Sequence, residues 1–424
     1  MTVKKKYRFV DLFSGLGGFH VALSKLGHKC VFASEIVPFL REDYEKNFKL
    51  KPDGDITKIN IKKLPAHEIL CAGFPCQPFS KAGSQEGFNH KISGDMFSYI
   101  LKILTIKKPK YIFLENVPQL LQHNSGKTWR KMEKKINNLG YLVKKKIISP
   151  IDFGIPQTRK RFYIVAYKDK NHKFSWPKNA KKIIPLSKLI IKKPKKVKYV
   201  TNEKYKVLKL WNDILAKKPK KIKLINPLWT AEFQADYPYI KSTPSFCSSK
   251  KLGKFNGKYG ESLKNKSKKE QIKLLPRYAQ TKEKKFPDWK IKIIEKNRLF
   301  YKNNKNWCDT IIKKLKLLNF ESYQKLEWNC MGDSYNFKNK LISFRPSGIR
   351  IKRNTSSPTL IASTVSQVPI LYEKKRHLSF EECMSLQGFP KKFHYTNSFQ
   401  NFYFAIGNSV NCDVVKKIAK NLIY

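Results

Sequence analysis

The sequence predicts an α/β protein: a doubly wound, open sheet built on a nucleotide-type βαβ unit, with a second, mixed domain after it. Three observations lead there. A strand, a glycine turn, a helix and a second strand ending in an acid follow one another within residues 7–35. Later strand-like runs deliver chemistry-bearing residues at their carboxyl ends, the edge where open α/β sheets bind ligands. Past Trp176-Pro177 the composition changes, and proline-bearing lysine runs at 192–196 and 217–221 interrupt the apolar pattern.

Taken in order, residues 7–13 (YRFVDLF) read as a short buried strand running into Ser14-Gly15-Leu16-Gly17-Gly18. The helical pattern Val21, Leu23, Leu26 follows, with Gly27 as its stop. A second strand, 30–34, ends in Glu35, twenty residues after Gly15. Glycines let backbone approach a ligand, and an acid there can bind ribose hydroxyls. The spacing is not the dinucleotide G-x-G-x-x-G, so an adenosine ligand without phosphate is as good a reading as NAD. Gly54-Asp55-Ile56 offers a second acid, though an ordinary turn aspartate explains it equally well. Residues 70–74 form the next strand, 96–104 an apolar helix, and 111–114 a buried strand ending at Glu115-Asn116-Val117-Pro118. A helix at 129–139, a strand at 141–148 and a loop feeding a strand to Val165 complete the set. On extended chain Arg159 and Arg161 would face the same way.

Gly73-Phe74-Pro75-Cys76-Gln77-Pro78-Phe79-Ser80 stands apart. Proline fixes φ and biases the residue before it toward extended geometry, so Cys76 is splinted between Pro75 and Pro78. A buried structural cysteine needs no such splint; a nucleophile does. The segment 81–91, with Gly83, Ser84 and Gly87 and few apolar anchors, reads either as a loop that closes over a substrate or as plain surface chain.

Composition narrows the partner. The 424 residues hold 88 Lys+Arg against 31 Asp+Glu, a formal charge of +57. Self-repulsion on that scale favours a polyanion as partner, with nucleic acid first. Eight cysteines occur without a C-x-x-C pair, so no metal site or disulfide framework is expected. Strand pattern from Tyr7 onward and the lack of a long apolar run suggest a cytoplasmic chain without leader or membrane span.

Six blocks now carry a resemblance to the DNA (cytosine-5)-methyltransferase family of bacterial restriction–modification systems. They are Asp11–Gly18, Gly73–Ser80, Glu115-Asn116-Val117, Gln157-Thr158-Arg159-Lys160-Arg161, Glu382–Pro390 and Ile406-Gly407-Asn408-Ser409-Val410. The resemblance implies a Rossmann-like, S-adenosylmethionine-dependent methyltransferase sheet with a target-recognition domain. The expected boundaries are 1–190 for catalysis, 191–402 for target recognition and 403–424 for a helix returning to the catalytic domain. It implies S-adenosyl-L-methionine against Phe13, Gly15, Leu16, Gly17, Glu35, Ile36, Asp55, Ile56, Pro75, Met96, Asn408 and Ser409. Catalysis would fall to Cys76, Glu115, Arg159 and Arg161, and substrate contact to Gln77, Ser80, Ser84 and Asn116. The implied partner is double-stranded DNA held between two lobes. The chain would be a monomer, with a cognate restriction endonuclease in the same system that need not bind it.

The chemistry asks for these residue types independently. Carbon 5 of cytosine is a poor nucleophile, and a thiolate added at carbon 6 makes the ring an enamine. Glu115 would relieve charge at N3, and Arg161 with Arg159 would hold the O2 edge. A structural ion pair is the plainer account of Glu115 and Arg161. A stacked base is out of reach, so flipping is required. Two alternatives stay open: a tRNA cytosine-5 methyltransferase on the same fold, and a catalytically silent DNA-binding relative. Finally, the chain has 77 lysines and 11 arginines, so a surviving arginine suggests a task needing a planar fork. Arg345, Arg350 and Arg353 cluster around a Pro-Ser-Gly turn, and at least one is expected to read a guanine, with phosphate clamping an equally good account.

Overall fold

The computed structural model describes residues 5–75, 96–361, 368–395 and 398–424, which divide into two compact units. The first takes the described residues of 1–197, 355–365 and 378–424; the second takes those of 198–354 and 366–377.

In the first unit the chain runs β1 (Arg8–Leu12), α1 (Gly18–Ser24), β2 (Lys29–Ser34), α2 (Pro38–Phe48), β3 (Ile69–Ala72) and α3 (Met96–Lys107). It continues with β4 (Tyr111–Asn116), α4 (Lys127–Asn138), β5 (Leu142–Ile148), β6 (Gln157–Thr158) and β7 (Arg161–Tyr167). The sheet order is β2-β1-β3-β4-β7-β5. The first four are parallel, and β7 lies antiparallel between β4 and β5.

Strand alternation covers both faces of this sheet. Val10, Leu70 and Leu114 pack with Ile100 of α3 and Met132 of α4, while Phe9, Cys71 and Phe113 pack with Phe19 and Leu23 of α1. Burial on two sides is why these strands read as near-continuous apolar runs. The effect on the site is direct: β1, β2, β3 and β4 all end at one edge.

The second unit contains α5 (Asn202–Ala216), β8 (Leu228–Trp229), α6 (Ser249–Leu252), α7 (Lys268–Lys273), α8 (Asp288–Asn303), α9 (Lys305–Lys316), β9 (Lys325–Asn329), β10 (Lys340–Arg345) and β11 (Gly348–Arg353). The chain then visits the first unit, where β12 (Ser357–Pro358) pairs in parallel with β6. It comes back for β13 (Ile370–Leu371) and β14 (Arg376–His377). The second sheet has order β14-β13-β10-β11-β9-β8, and one face closes on Trp211, Phe233 and Trp328.

Three helices return to the first unit: α10 (Phe380–Leu386), α11 (Phe399–Asn408) and α12 (Cys412–Ile423). A capping box between Ser379 and Glu382 starts α10, and the Asn411 side chain accepts the Val414 N–H to start α12. The apolar stripe Val414, Val415, Ile418 and Leu422 packs with Phe19 and Leu23 of α1.

The unit boundaries differ from the sequence expectation of 191 and 403. Residues 191–197 and 378–402 pack with the first unit. The Ile191 and Lys195 N–H groups donate to Glu382 and Glu381, the Gln387 amide donates to the Ile406 carbonyl, and the Asn47 side chain of α2 exchanges two hydrogen bonds with the His394 backbone. Apolar patterning alone does not show which core a segment joins. Among the described residues, no helix is long and apolar enough to cross a membrane.

Candidate active site

The turn after β1 bends through left-handed backbone at Phe13, Gly15 and Gly17 (φ 55°, 53° and 78°). Such angles are costly for most residues, and glycine accepts them without penalty. The two glycines serve different ends. A Cβ on Gly17 would lie 2.4 Å from the Phe48 ring, so close packing forbids one. A Cβ on Gly15 would meet nothing within 4 Å, which leaves open space beside the turn.

Glu35, just past β2, holds that turn. Its Oε2 accepts the Gly15 N–H at 2.8 Å and its Oε1 accepts the Val37 N–H at 2.9 Å. Burial pushes the carboxyl up, and these N–H groups oppose the rise. Each oxygen keeps a second lone pair for a ligand hydroxyl. Ile36 is 65% exposed, an apolar side chain standing free beside the acid. Asp55 accepts the Thr57 N–H at 2.9 Å and caps a short turn; Ile56 behind it is buried. Leu16 and Met96 are also buried, and Pro75 is half-buried.

At the neighbouring strand ends, β4 delivers Glu115 opposite Gly73. The Arg161 Nε lies 3.1 Å from Glu115 Oε1, and a Cβ on Gly73 would lie 3.9 Å from Oε2. Burial pushes the Glu115 carboxyl up, with Arg161 and then Arg159 pulling it down; burial is the larger effect. The end of β4 thus holds a buried carboxyl set against an arginine. Cys76, Gln77, Ser80 and Ser84, with the segment 81–91, lie outside the described residues.

Two residues given direct roles by the sequence are occupied elsewhere. The Asn116 side chain donates to the Phe74 carbonyl (3.4 Å) and accepts the Val117 N–H (2.8 Å), tying the end of β4 to the chain that leads to Pro75. Arg159 is almost wholly buried. Its guanidinium donates to the carbonyls of Leu360 (3.1 Å), Gly407 (2.7 Å) and Ser409 (2.9 Å). The expectation that Arg159 and Arg161 share one face assumed a single extended strand. Instead β6 ends at Thr158 to pair with β12, β7 begins at Arg161 beside β4, and the alternation breaks between them.

Asn408 is exposed, whereas Ser409 is buried and its hydroxyl donates to the Val410 carbonyl. Reasoning from sequence overlooked Gln387. It lies in one of the quoted blocks, and its amide donates to the carbonyls of Ile406 (3.0 Å) and Ser409 (3.3 Å).

In the second unit, the three clustered arginines are paired with acids the sequence reading did not consider. Arg350 Nε and Arg345 Nη1 approach Glu327 Oε2 at 2.6 and 3.5 Å. Arg353 meets Asp333 at 2.9 Å, which also binds Lys340.

An acid-held glycine turn and a buried acid–arginine pair on adjacent strand ends are the frame of a group-transfer site in a doubly wound sheet. Residues 7–424 match the family of C-5 cytosine-specific DNA methylases, and the chain belongs to that family. A type II methyltransferase of a Moraxella species, M.MspI, is 48% identical over 172 residues, covering 41% of each chain. Another, M.HhaI of Haemophilus parahaemolyticus, is 45% identical over 173 residues, covering 40% of this chain and 53% of that one. The matched stretch thus spans about half or less of these relatives' length. Two solved structures share the fold: an Entamoeba histolytica methyltransferase (17% identity, 99% and 98% of the two chains, TM-score 0.52) and a putative DNA modification methyltransferase of an Escherichia coli prophage (19%, 98% and 98%, 0.50).

Arg159 and Arg161 should separate experimentally. Arg159→Leu takes a donor from three carbonyls, of which Ser409 keeps the Gln387 amide, and should cost about 3 kcal/mol or more of stability. Arg161→Lys keeps a cation at Glu115 and should cost less than about 1 kcal/mol, the two read side by side by denaturant unfolding.

Proposed function

We propose that the protein transfers a methyl group from S-adenosylmethionine to carbon 5 of a flipped cytosine in duplex DNA, as the modification half of a restriction–modification pair. The observation that carries this reading is the buried Glu115–Arg161 pair beside Gly73, three residues ahead of Cys76.

The residues fit the methyl donor. Glu35 presents a fixed carboxylate toward ribose hydroxyls, Gly15 leaves space beside it, and Ile36 offers an apolar surface for a base. When bound, S-adenosylmethionine supplies an electrophilic methyl to carbon 5. The chain supplies the rest. The Cys76 thiolate forms a bond to carbon 6, and the ring's π pair shifts toward carbon 5 as N3 takes the proton held by Glu115. Burial raises the Glu115 carboxyl above its usual range, the direction that acid donation to N3 requires. Arg161 holds Oε1 and aims the acid. When the carbon-5 proton leaves to a base, the pair reforms the double bond, the carbon–sulfur bond breaks, and Glu115 recovers its proton. Bisulfite sequencing of DNA from cells expressing the gene tests the activity and yields the target sequence. Transfer RNA assayed alongside tests the rival substrate.

Three outcomes follow from these roles. Cys76→Ser should abolish transfer yet leave cofactor binding intact. The unaltered protein should form a denaturant-resistant adduct with DNA carrying 5-fluorocytosine, whose fluorine blocks elimination; an active protein without that adduct contradicts the covalent route.

Glu35→Ala should weaken S-adenosylmethionine binding by about ten- to a hundredfold, the loss of charge-assisted hydrogen bonds to hydroxyls. Calorimetry would read it, and unchanged affinity would remove Glu35 from the cofactor site.

For Glu115 the sign follows from its raised carboxyl. The proton is present at low pH and is lost as pH climbs through the raised value, so turnover at saturating substrate should fall on the alkaline side. Glu115→Gln should lower turnover by about 10²–10⁴-fold and flatten that fall in a pH–rate profile.

A further inference from the structure

Outside the methyl-transfer site, the second unit holds a charge cluster with a specific geometry. β9, β11 and β10 lie side by side in that order. Their register sends Leu326, Trp328, Ile349 and Ile351 into the core, which leaves Glu327, Arg350, Ser343 and Arg345 together on the opposite face. On that face one carboxylate organises both arginines and the turn between β10 and β11. Glu327 Oε2 accepts from Arg350 Nε (2.6 Å) and Arg345 Nη1 (3.5 Å), and its Oε1 accepts from Ser347 Oγ (2.7 Å). The Glu327 side chain is 11% exposed, yet Arg345 and Arg350 remain 28% and 36% exposed.

This arrangement does what a bare cation would not. Held through Nε, Arg350 keeps both terminal Nη groups as a planar pair of donors, and its rotamer is fixed before any partner arrives. A guanine presents O6 and N7 as a matching pair of acceptors in the major groove. A phosphate fits the cluster poorly, because Glu327 places a full negative charge within 2.6 Å of the same guanidinium and leaves the three groups with a net charge of only +1. A neutral base edge meets no such repulsion. Lysine could not substitute, since a single nitrogen cannot satisfy Glu327 and present a fork as well. Arg353 differs: Asp333 and the Met331 carbonyl hold it, and the shared Asp333 also ties down Lys340, so it braces the chain beside β9.

We propose that Arg350 reads a guanine of the target sequence and that Glu327 is its positioning residue, with Arg345 alongside. The proposal rests on the reading of duplex DNA as substrate, and the test separates the two. Once bisulfite sequencing has given the target, the full-length protein is titrated with cognate duplexes carrying 7-deazaguanine at one position at a time, which removes N7. The unaltered protein should lose about tenfold in affinity at one guanine. Arg350→Lys should weaken cognate binding by about ten- to a hundredfold, leave scrambled duplex nearly unaffected, and show no further loss when that guanine is substituted. Glu327→Gln should lower the cognate-to-scrambled ratio while binding scrambled DNA at least as tightly, because a negative charge has gone. A purely structural Glu327 would weaken both duplexes together, and that result overturns its assignment. If Glu327→Gln does not fold, the Arg350→Lys series decides the matter alone. Wild-type discrimination retained by Arg350→Lys at every guanine overturns the proposal. A wild-type protein that methylates transfer RNA and no duplex overturns the functional reading instead.

Discussion

The first unit depends on one buried guanidinium. Its sheet is made by the first 167 residues, but the packing around its glycine turn is completed by chain that arrives after a long excursion through the second unit. Arg159 closes that circuit, with bonds to carbonyls 201, 248 and 250 residues away in sequence. Two of those carbonyls, of Gly407 and Ser409, sit where α11 gives way to α12, and carbonyl groups at a buried helix end need donors from outside the helix. A planar fork can reach several carbonyls at once where lysine offers one nitrogen. Gln387 supplies further donors to the same junction, and Val410 from that junction packs against Gly18, where a Cβ would come within 2.6 Å of it. The glycine turn, the acid that holds it and the final helix are thus one packed assembly.

Against that rigid frame, Glu115 is a balance of opposing terms. Burial of a carboxylate disfavours its charge, and a guanidinium 3.1 Å away favours it. If the arginine won, Glu115 would be a fixed anion and a poor proton donor. The balance falls to burial, so the carboxyl lies above its usual range, the direction acid–base work demands. The pair is an ion pair of the fold, and the proposed chemistry draws on the same arrangement.

Much of this was legible in the sequence, and the limits have physical causes. The glycine turn, Glu35 and Glu115 were readable because strand-end position follows from apolar runs and turn residues, which are local signals. The structural ties of Arg159 could not be read, because they run to carbonyls more than 200 residues away, which no local pattern encodes. Asn116 was assigned to substrate for its place in a motif, while its amide is spent holding Phe74 and Val117. The edge of the second unit differs from the one read off the pattern because residues 378–402 are as apolar as a core segment of either unit; contacts distant in sequence, such as Asn47 with His394, tie them to the first. Glu327 went unnoticed because it comes on β9, well before the arginines in sequence, and joins them through strand register alone.

The scarcity of arginine proves informative in a different way from the one expected. In a chain that uses lysine for most positive charge, arginine marks positions where fork geometry matters, and folding needs that geometry as often as recognition does. Arg298 shows this: its Nε meets Glu232 at 2.8 Å, its Nη1 donates to the Tyr237 carbonyl, and its plane lies over the rings of Tyr237 and Tyr239. Arg376 likewise spends a donor on the His377 carbonyl in a buried strand. Buried arginines with fixed partners belong to the fold. What distinguishes Arg350 is the combination of a fixed Nε and an exposed fork, which costs ordering entropy in the free protein and returns nothing to the core. A side chain held in this way while open to solvent is the feature on which the proposed guanine contact draws.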